Sequence, residues 1–202
     1  MGQPARYLKW LYPRALWRIK TRQKKVYLTF DDGPVPEATP WVIDTLAKYH
    51  IKATFFCVGE NVWRYPHIYQ QLIDNGHQTG NHTFNHLRAT KVSHKGYFEN
   101  IEKAAQYVKS NLFRPPHGEI YPWQMRSLKK RFKEVVLWDV LTYDYNQSKT
   151  VDQIVDNIKR YTRPGSILLF HDSVKAWPNM HKALPIAIEW LLKEGYTFET
   201  IS

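Results

Sequence analysis

With a single cysteine, Cys57, the 202-residue chain can form no intrachain disulfide. Cys57 sits inside the apolar run ATFFCVG, which suits a small core residue better than a catalytic thiol. The redox compartment stays open, because secreted proteins need not carry disulfides. No window approaches the ~18 apolar residues of a membrane-spanning helix. The N-terminus also lacks the unbroken apolar core of a secretory signal, about 7–15 residues long. A cytoplasmic and a cell-envelope location both fit. No internal repeat, low-complexity stretch or interdomain linker is visible, and the length suits one domain.

Acidic residues are missing from residues 1–25, which hold eight Lys or Arg. The formal net charge is +11, but outside this segment 21 basic residues face 18 acidic ones, a net of +3. The chain therefore divides into a basic, aromatic extension, 1–25, and a mildly basic body, 26–202. A basic arm attracts polyanions such as nucleic acid, anionic lipid or wall polymers. Its Tyr7, Leu8, Trp10, Leu11, Leu16, Trp17 and Ile19 allow two readings. They pack against the body, or they make peripheral membrane contact as a basic amphipathic segment. Pro13 breaks any single helix there. A non-enzymatic polyanion binder is the rival of a different class; the body's low charge argues against it, and no nucleic-acid partner is expected.

From Val26 onward, short apolar runs alternate with longer amphipathic ones. Strands are expected at 26–30, 53–59, 77–82, 112–119 (broken by two prolines), 134–140 and 166–170, with YTFETI (196–201) last. Helices are expected at 39–49, from about 60 to Asn75–Gly76, and at 96–110, 122–132, 150–161 and 181–194. This alternation means a parallel sheet with helical crossovers. The strands lack clean polar alternation, as expected when both faces are covered. About seven strands fit an open doubly wound sheet or an incomplete barrel.

Chemistry-bearing residues fall at the strand ends: Asp31 and Asp32 after the first, His82 and His86 after the third, Arg114 after the fourth, Asp139 and Asp144 after the fifth, His171 and Asp172 after the sixth. The carboxyl ends of parallel strands are where sites form, so five segments are expected to converge on one mouth. Asp31 and Asp32 point to opposite sides of an extended chain, which lets one bind a metal while the other acts beside it as a base. His82 and His86, four apart on a helical turn, share a face and can grip one ion. Two imidazoles and one carboxylate leave positions open for water, as in catalytic sites, and suit zinc, cobalt, nickel or iron better than calcium. His171 is a candidate general acid, with Asp144 and Asp172 both available to keep it protonated. Arg114 could orient a carboxylate. Pro115 and Pro116 carry no amide donor, which leaves the amides of His117 and Gly118 to point at a ligand.

The motifs TFDDGP (29–34), HTFNH (82–86), RPPHG (114–118), WDVLTYDY (138–145) and LLFHD (168–172), in this order, resemble the polysaccharide deacetylase family, carbohydrate esterase family four or NodB homology domain. The resemblance covers the chain from about Val26 to near its end. It implies a distorted (β/α) barrel, usually seven-stranded. It implies a divalent-metal hydrolase, with zinc first, that removes N-acetyl groups from N-acetylglucosamine-containing glycans and releases acetate. An O-acetyl esterase of the xylan type and a small-amide hydrolase are alternatives on the same fold. By position, the resemblance makes Asp31 the base, Asp32, His82 and His86 the metal ligands, and Arg114 the residue orienting the base. His171 becomes the acid, with Asp144 tuning it. The His117 N–H becomes an oxyanion donor, and Leu169 and Tyr145 part of the acetyl pocket. The fourth motif departs from the usual Asp-Ser-x-Asp-Trp: here Leu141-Thr142-Tyr143-Asp144-Tyr145 keeps only the second acid, and His117 replaces a usual tyrosine. The acid–base and metal set is complete, while the walls of the acetyl pocket differ.

Overall fold

Shielded on both faces, strand β1 (Lys25–Asp31) runs through the middle of the molecule with six of its seven residues buried. Two different layers cover it, hence the missing alternation. Val26, Leu28 and Phe30 pack outward into the larger core. Tyr27 instead joins an inner cluster with Phe56, Leu112, Val136, Ile167 and Ile201. Thr29 and Asp31 continue that inward row. Alternate side chains of one strand thus lead from an apolar floor to a carboxylate at the mouth.

The computed structural model describes residue 3 and residues 6–202; residues 1, 2, 4 and 5 of the expected extension lie outside the described residues. The other strands are β2 (Thr54–Cys57), β3 (Gln78–Asn81), β4 (Leu112–Phe113), β5 (Glu134–Val135), β6 (Val140–Leu141), β7 (Ile167–His171) and β8 (Thr197–Phe198). Their order is β5–β4–β3–β2–β1–β7–β6, all parallel, with β8 paired beside the start of β1. The helices are α1 (Arg6–Leu11), α2 (Thr39–Lys48), α3 (Gly59–Arg64), α4 (Pro66–Asp74), α5 (His94–Ala105), α6 (Gln124–Arg131), α7 (Val151–Tyr161) and α8 (Trp177–Lys193). Seven parallel strands curled inside this layer make the distorted (β/α) barrel that the resemblance implied. Helix α5 starts before the expected Gly96 because Ser93 caps it, its hydroxyl accepting the Gly96 N–H at 3.1 Å. Helix α8 starts before the expected His181 because Pro178 suits a first helical turn.

One expected strand is two. Residues 134–140 divide into β5 and the first residue of β6, which lie at opposite edges of the sheet. Val136 to Asp139 cross the seam between them, and the N-terminal arm fills it. The Leu16 N–H donates to the Val135 carbonyl and the Leu137 N–H to the Leu16 carbonyl, both at 2.8 Å. Further on, the Ile19 N–H donates to the Gly165 carbonyl at 2.9 Å, just ahead of β7.

The arm is accordingly part of the fold. Tyr12 and Ala15 are buried, Leu8 and Trp17 pack on their cluster, and Leu16 and Ile19 pack on the inner one. Of its large apolar side chains only Tyr7, Trp10 and Leu11 are exposed, among the described residues. Most of its apolar surface is thus used internally, and the peripheral membrane contact considered from the sequence finds no support. Among the described residues no helix is long and apolar enough to cross a membrane.

Asp139 corrects another expectation. Its N–H donates to the carbonyl of Ile167, the first residue of β7, so it sits at the end of the barrel away from the mouth. There its buried carboxylate accepts from Lys9 Nζ (2.8 Å), Arg163 Nη2 (2.9 Å) and Ser166 Oγ (2.9 Å). It ties the arm to the barrel and takes no part in the site.

Candidate active site

Asp31 ends β1 inside the barrel, and Asp32 leaves the strand with φ +83°. This left-handed turn, uncommon for a side chain other than glycine, changes the expected geometry. The two carboxylates do not point to opposite sides; both come within 3.8 Å of His82 Nε2. The turn is pinned by Asp172, whose buried carboxylate accepts from the Gly33 N–H (3.1 Å) and the Thr39 hydroxyl (2.6 Å). A side chain at Gly33 would collide with that carboxylate, its Cβ lying 1.9 Å from Oδ2. Asp172 is therefore a structural brace and not the partner of His171. Burial, with the nearby Asp32 charge, pushes its carboxyl up to about 8 against its hydrogen bonds.

His82 and His86 meet as expected, but not through a helix. Residues 82–86 form a loop in which Thr83 and His86 both have positive φ, +62° and +56°. The loop is held by Asn81 Oδ1 on the Thr83 N–H (2.9 Å), Thr83 Oγ1 on the Leu87 N–H (2.9 Å) and Asn100 Oδ1 on the Phe84 N–H (2.8 Å). His82 Nδ1 lies 2.7 Å from the Arg114 carbonyl. A carbonyl can only accept, so the proton is on Nδ1 and Nε2 presents a lone pair. Burial pushes the His82 pKa down to about 4 despite the neighbouring Asp31, so the imidazole is neutral at pH 7.

These donors fit a metal. Asp32 Oδ1 lies 3.2 Å from His86 Nε2 and 3.8 Å from His82 Nε2, and the ligand atoms of the trio lie within 4.8 Å of one another. Bonds of roughly 2.0–2.1 Å to a tetrahedral zinc place donors about 3.3 Å apart. The His82 Nδ1 contact to a carbonyl is the usual outer support of such a ligand. Burial opposes the Asp32 charge, but the His86 hydrogen bond and the surrounding imidazoles hold its pKa below the ordinary carboxylate range.

Beneath this corner Arg114 is fully buried inside the barrel. Its Nη1 donates to Asp31 Oδ1 (2.6 Å) and Thr29 Oγ1 (2.8 Å), its Nη2 to the Leu137 carbonyl (3.0 Å), and its Nε to the Val136 carbonyl (3.3 Å). The guanidinium rests 4.1 Å above the Phe56 ring. Phe56 in turn needs Gly80 across the sheet, where a Cβ would lie 2.4 Å from its ring. Asp31 is thus fixed through one oxygen, and the other faces the metal corner.

Across the cleft His171, at the end of β7, is held by Asp144. Asp144 Oδ1 lies 2.8 Å from His171 Nδ1, and Oδ2 accepts the His171 N–H at 2.7 Å. Burial opposes the His171 charge, but Asp144, with smaller help from Asp32 and Asp31, outweighs it and raises the pKa to about 9. The Tyr145 ring meets the imidazole edge-on at 4.9 Å. His117 has φ +60°, and its N–H donates to no acceptor among the described residues. The Gly118 N–H, also expected to be free, is used by the Pro115 carbonyl at 3.0 Å. A cleft of about 580 Å³ joins Asp31, Asp32, His82, His86, His117, Tyr145, Leu169 and His171. Its walls also include Trp138, Leu141, Arg88 and Lys175. Sequence reasoning did not assign Trp138, Arg88 or Lys175 to the site, while Leu141 belongs to the altered fourth motif already tied to the pocket walls. Trp138 reads as a strand residue within the 134–140 run, and no local signal marks Arg88 or Lys175.

The polysaccharide deacetylase pattern matches residues 18–134. The chain belongs to the polysaccharide deacetylase family. A peptidoglycan-N-acetylglucosamine deacetylase of Bacillus cereus is 33% identical, over 92% of this chain and 90% of that protein. The peptidoglycan-N-acetylmuramic acid deacetylase PdaA of Bacillus subtilis is 32% identical, over 93% of this chain and 73% of that protein. A crystal structure of a peptidoglycan N-acetylglucosamine deacetylase, in complex with 4-naphthalen-1-yl-N-oxidanyl-benzamide, superposes with a TM-score of 0.89. It is 31% identical and covers 96% of this chain and 94% of its own.

With His171 as the general acid that the resemblance implies, its pairing with Asp144 is expected to set a pH window. The His171 proton is lost as pH rises through its raised pKa of about 9. A cation that neutralises Asp32 removes one raising influence and leaves Asp144 as the main one. The alkaline limb of kcat/KM is therefore expected between 6.5 and about 9. In Asp144→Asn, burial acts unopposed by that charge, and the limb should move below 6.5. A pH–rate profile with an unmoved alkaline limb in the variant would remove His171 from the acid's role.

Proposed function

We propose that the protein hydrolyses the N-acetyl group of acetylated amino-sugar glycans, releasing acetate and a free amine, with a divalent cation held by Asp32, His82 and His86. The observation that carries this reading is the opposition of two differently prepared proton carriers across one cleft. Asp31 is fixed by an ion pair with the buried Arg114 at 2.6 Å, and His171 is held protonated by Asp144 at 2.8 Å. Zinc is the first candidate for the donor set, with cobalt, nickel and iron as alternatives. Bound there, such a cation lowers the pKa of water from 15.7 toward about 7 and polarises an adjacent carbonyl.

The chain's own groups supply the rest. The free oxygen of Asp31 takes the proton as water attacks the acetamide carbon. The His117 N–H donates to the carbonyl oxygen as charge gathers on it; one such donor is worth roughly 3–4 kcal/mol. His171 Nε2–H passes its proton to the sugar nitrogen as the C–N bond breaks, so the amine leaves neutral. Leu169, Leu141, Trp138 and Tyr145 wall the cleft where the acetyl methyl group lodges. The His117 ring packs on His86 at 4.6 Å, which couples the donor loop to the ligand loop.

Acetate release from acetylated chito-oligosaccharides tests the reading. Thorough chelation is expected to reduce release to background, and added zinc or cobalt to restore it. Activity that survives complete metal removal would defeat the proposal.

A further inference from the structure

Arg88 and Lys175 are the two basic side chains lining the cleft that the proposed reaction leaves unused, among the described residues, and the two differ in their surroundings. Arg88 is already committed: its Nη1 pairs with Glu119 at 2.9 Å and its Nη2 lies 3.3 Å from His117 Nδ1. Lys175 has no carboxylate within 4 Å of its ammonium, among the described residues. Its ammonium lies over the Tyr145 ring, 5.4 Å from the centroid, within cation–π range. The same ring touches His171, so Lys175 stands on the leaving-amine side of the cleft. Its backbone is held by Gln147, whose Nε2 donates to the Lys175 carbonyl at 2.7 Å. Among the described residues, the acids lining the cleft are Asp31 and Asp32. Arg114 holds the first, and the second is assigned to the metal. No protein anion remains for Lys175.

We propose that Lys175 is a specificity residue that pairs with a carboxylate carried by the glycan, so that the cleft favours acetylated amino-sugar chains bearing carboxylates over neutral ones. The occupant follows from charge complementarity. An exposed, unpaired cation on the His171 side of the cleft meets what the sugar presents near its acetamide, and a carboxylate there gains a partner that a hydroxyl does not. This inference rests on the deacetylase reading of the same site.

Three substrates separate the two claims: acetylated chitopentaose, peptide-free peptidoglycan glycan strands, and the same strands with their carboxyls reduced to alcohols. Lys175→Gln is expected to raise KM for the carboxylated strands about two- to fivefold, the range of an exposed ion pair. KM for the other two, and kcat for all three, should stay unchanged. Lys175→Glu should widen the effect and Lys175→Arg should preserve the preference. High salt should shrink the wild-type preference for carboxylated strands. A Lys175→Gln effect of equal size on neutral and carboxylated chains, or no effect on any, overturns the inference while leaving the deacetylase reading intact. Acetate from none of the three with metal-loaded wild type overturns both.

Discussion

Asp31→Asn is expected to lower kcat about 10²–10⁴-fold, the usual contribution of a positioned acid or base, with KM nearly unchanged. The substitution is close to isosteric, and the new amide oxygen can still accept from Arg114 Nη1, which now sits 2.6 Å from Asp31 Oδ1. What is lost is the second oxygen, which lies toward the metal corner 3.8 Å from His82 Nε2. An amide nitrogen there cannot take a proton from water. Glycan binding depends on the cleft walls and the metal ligands, which the change leaves in place, so the loss should fall on kcat. Steady-state kinetics of acetate release, with metal content measured on the same samples, distinguishes this from loss of the ion. A fall of less than about tenfold at full metal occupancy would remove Asp31 from the base's role.

The fold was legible because its signals are local. Apolar runs such as VYLTF and SILLF, separated by amphipathic stretches, have few solutions other than a parallel sheet with helical crossovers. The seam was not legible for the opposite reason. EVVLWDV is a continuous apolar run with no glycine or proline, and nothing within it says that Val136–Asp139 leave one edge of the sheet and arrive at the other. That path is set by a distant segment, the arm around Leu16, whose hydrogen bonds no local pattern encodes. The same long-range dependence drew Asp139 away from the mouth: its partners Lys9 and Arg163 are remote in sequence.

The gathering of the candidate residues was legible in the sequence, their geometry only in part. Placement at strand ends brought Asp31, His82 and His171 to one cleft with Arg114 and Asp144 buried behind it, because the mouth of a parallel barrel collects whatever follows its strands. How the side chains get there was invisible. Asp32, Thr83, His86, His117 and Tyr143 all adopt positive φ, a state that costs about 1–3 kcal/mol at each bulky residue and persists only where surroundings enforce it. Five such residues on the segments that build the mouth explain why helical spacing was the wrong argument for His82 and His86, although the two rings do meet, 5.1 Å apart. The choice between Asp144 and Asp172 also needed three dimensions. Both are buried acids near His171, and only the hydrogen bonds tell the tuning partner from the brace.

Arg114→Met is expected to lower stability by about 3–5 kcal/mol, because removing one member of a buried ion pair strands the other. For a chain of this size that is a fall in Tm of roughly 10 °C. Asp31 would be left with no cationic partner in the metal-free protein, and the Thr29 hydroxyl and the Val136 and Leu137 carbonyls would each lose a donor. The double variant Asp31→Asn, Arg114→Met should recover part of that loss, since neither charge then remains in the barrel. Methionine can pack its thioether on the Phe56 ring over which the guanidinium now stands. Catalysis should behave differently: each single variant and the double should all be nearly inactive, because the base is either absent or unheld. Stability that partly returns while activity does not would show that the pair exists to aim a carboxylate, at a cost to the fold. Thermal unfolding of the four metal-free proteins in a double-mutant cycle, beside acetate release from their metal-loaded forms, measures both quantities. If the double is less stable than either single variant, the pair is a net source of stability, and orientation of Asp31 is not what keeps a charge in the barrel.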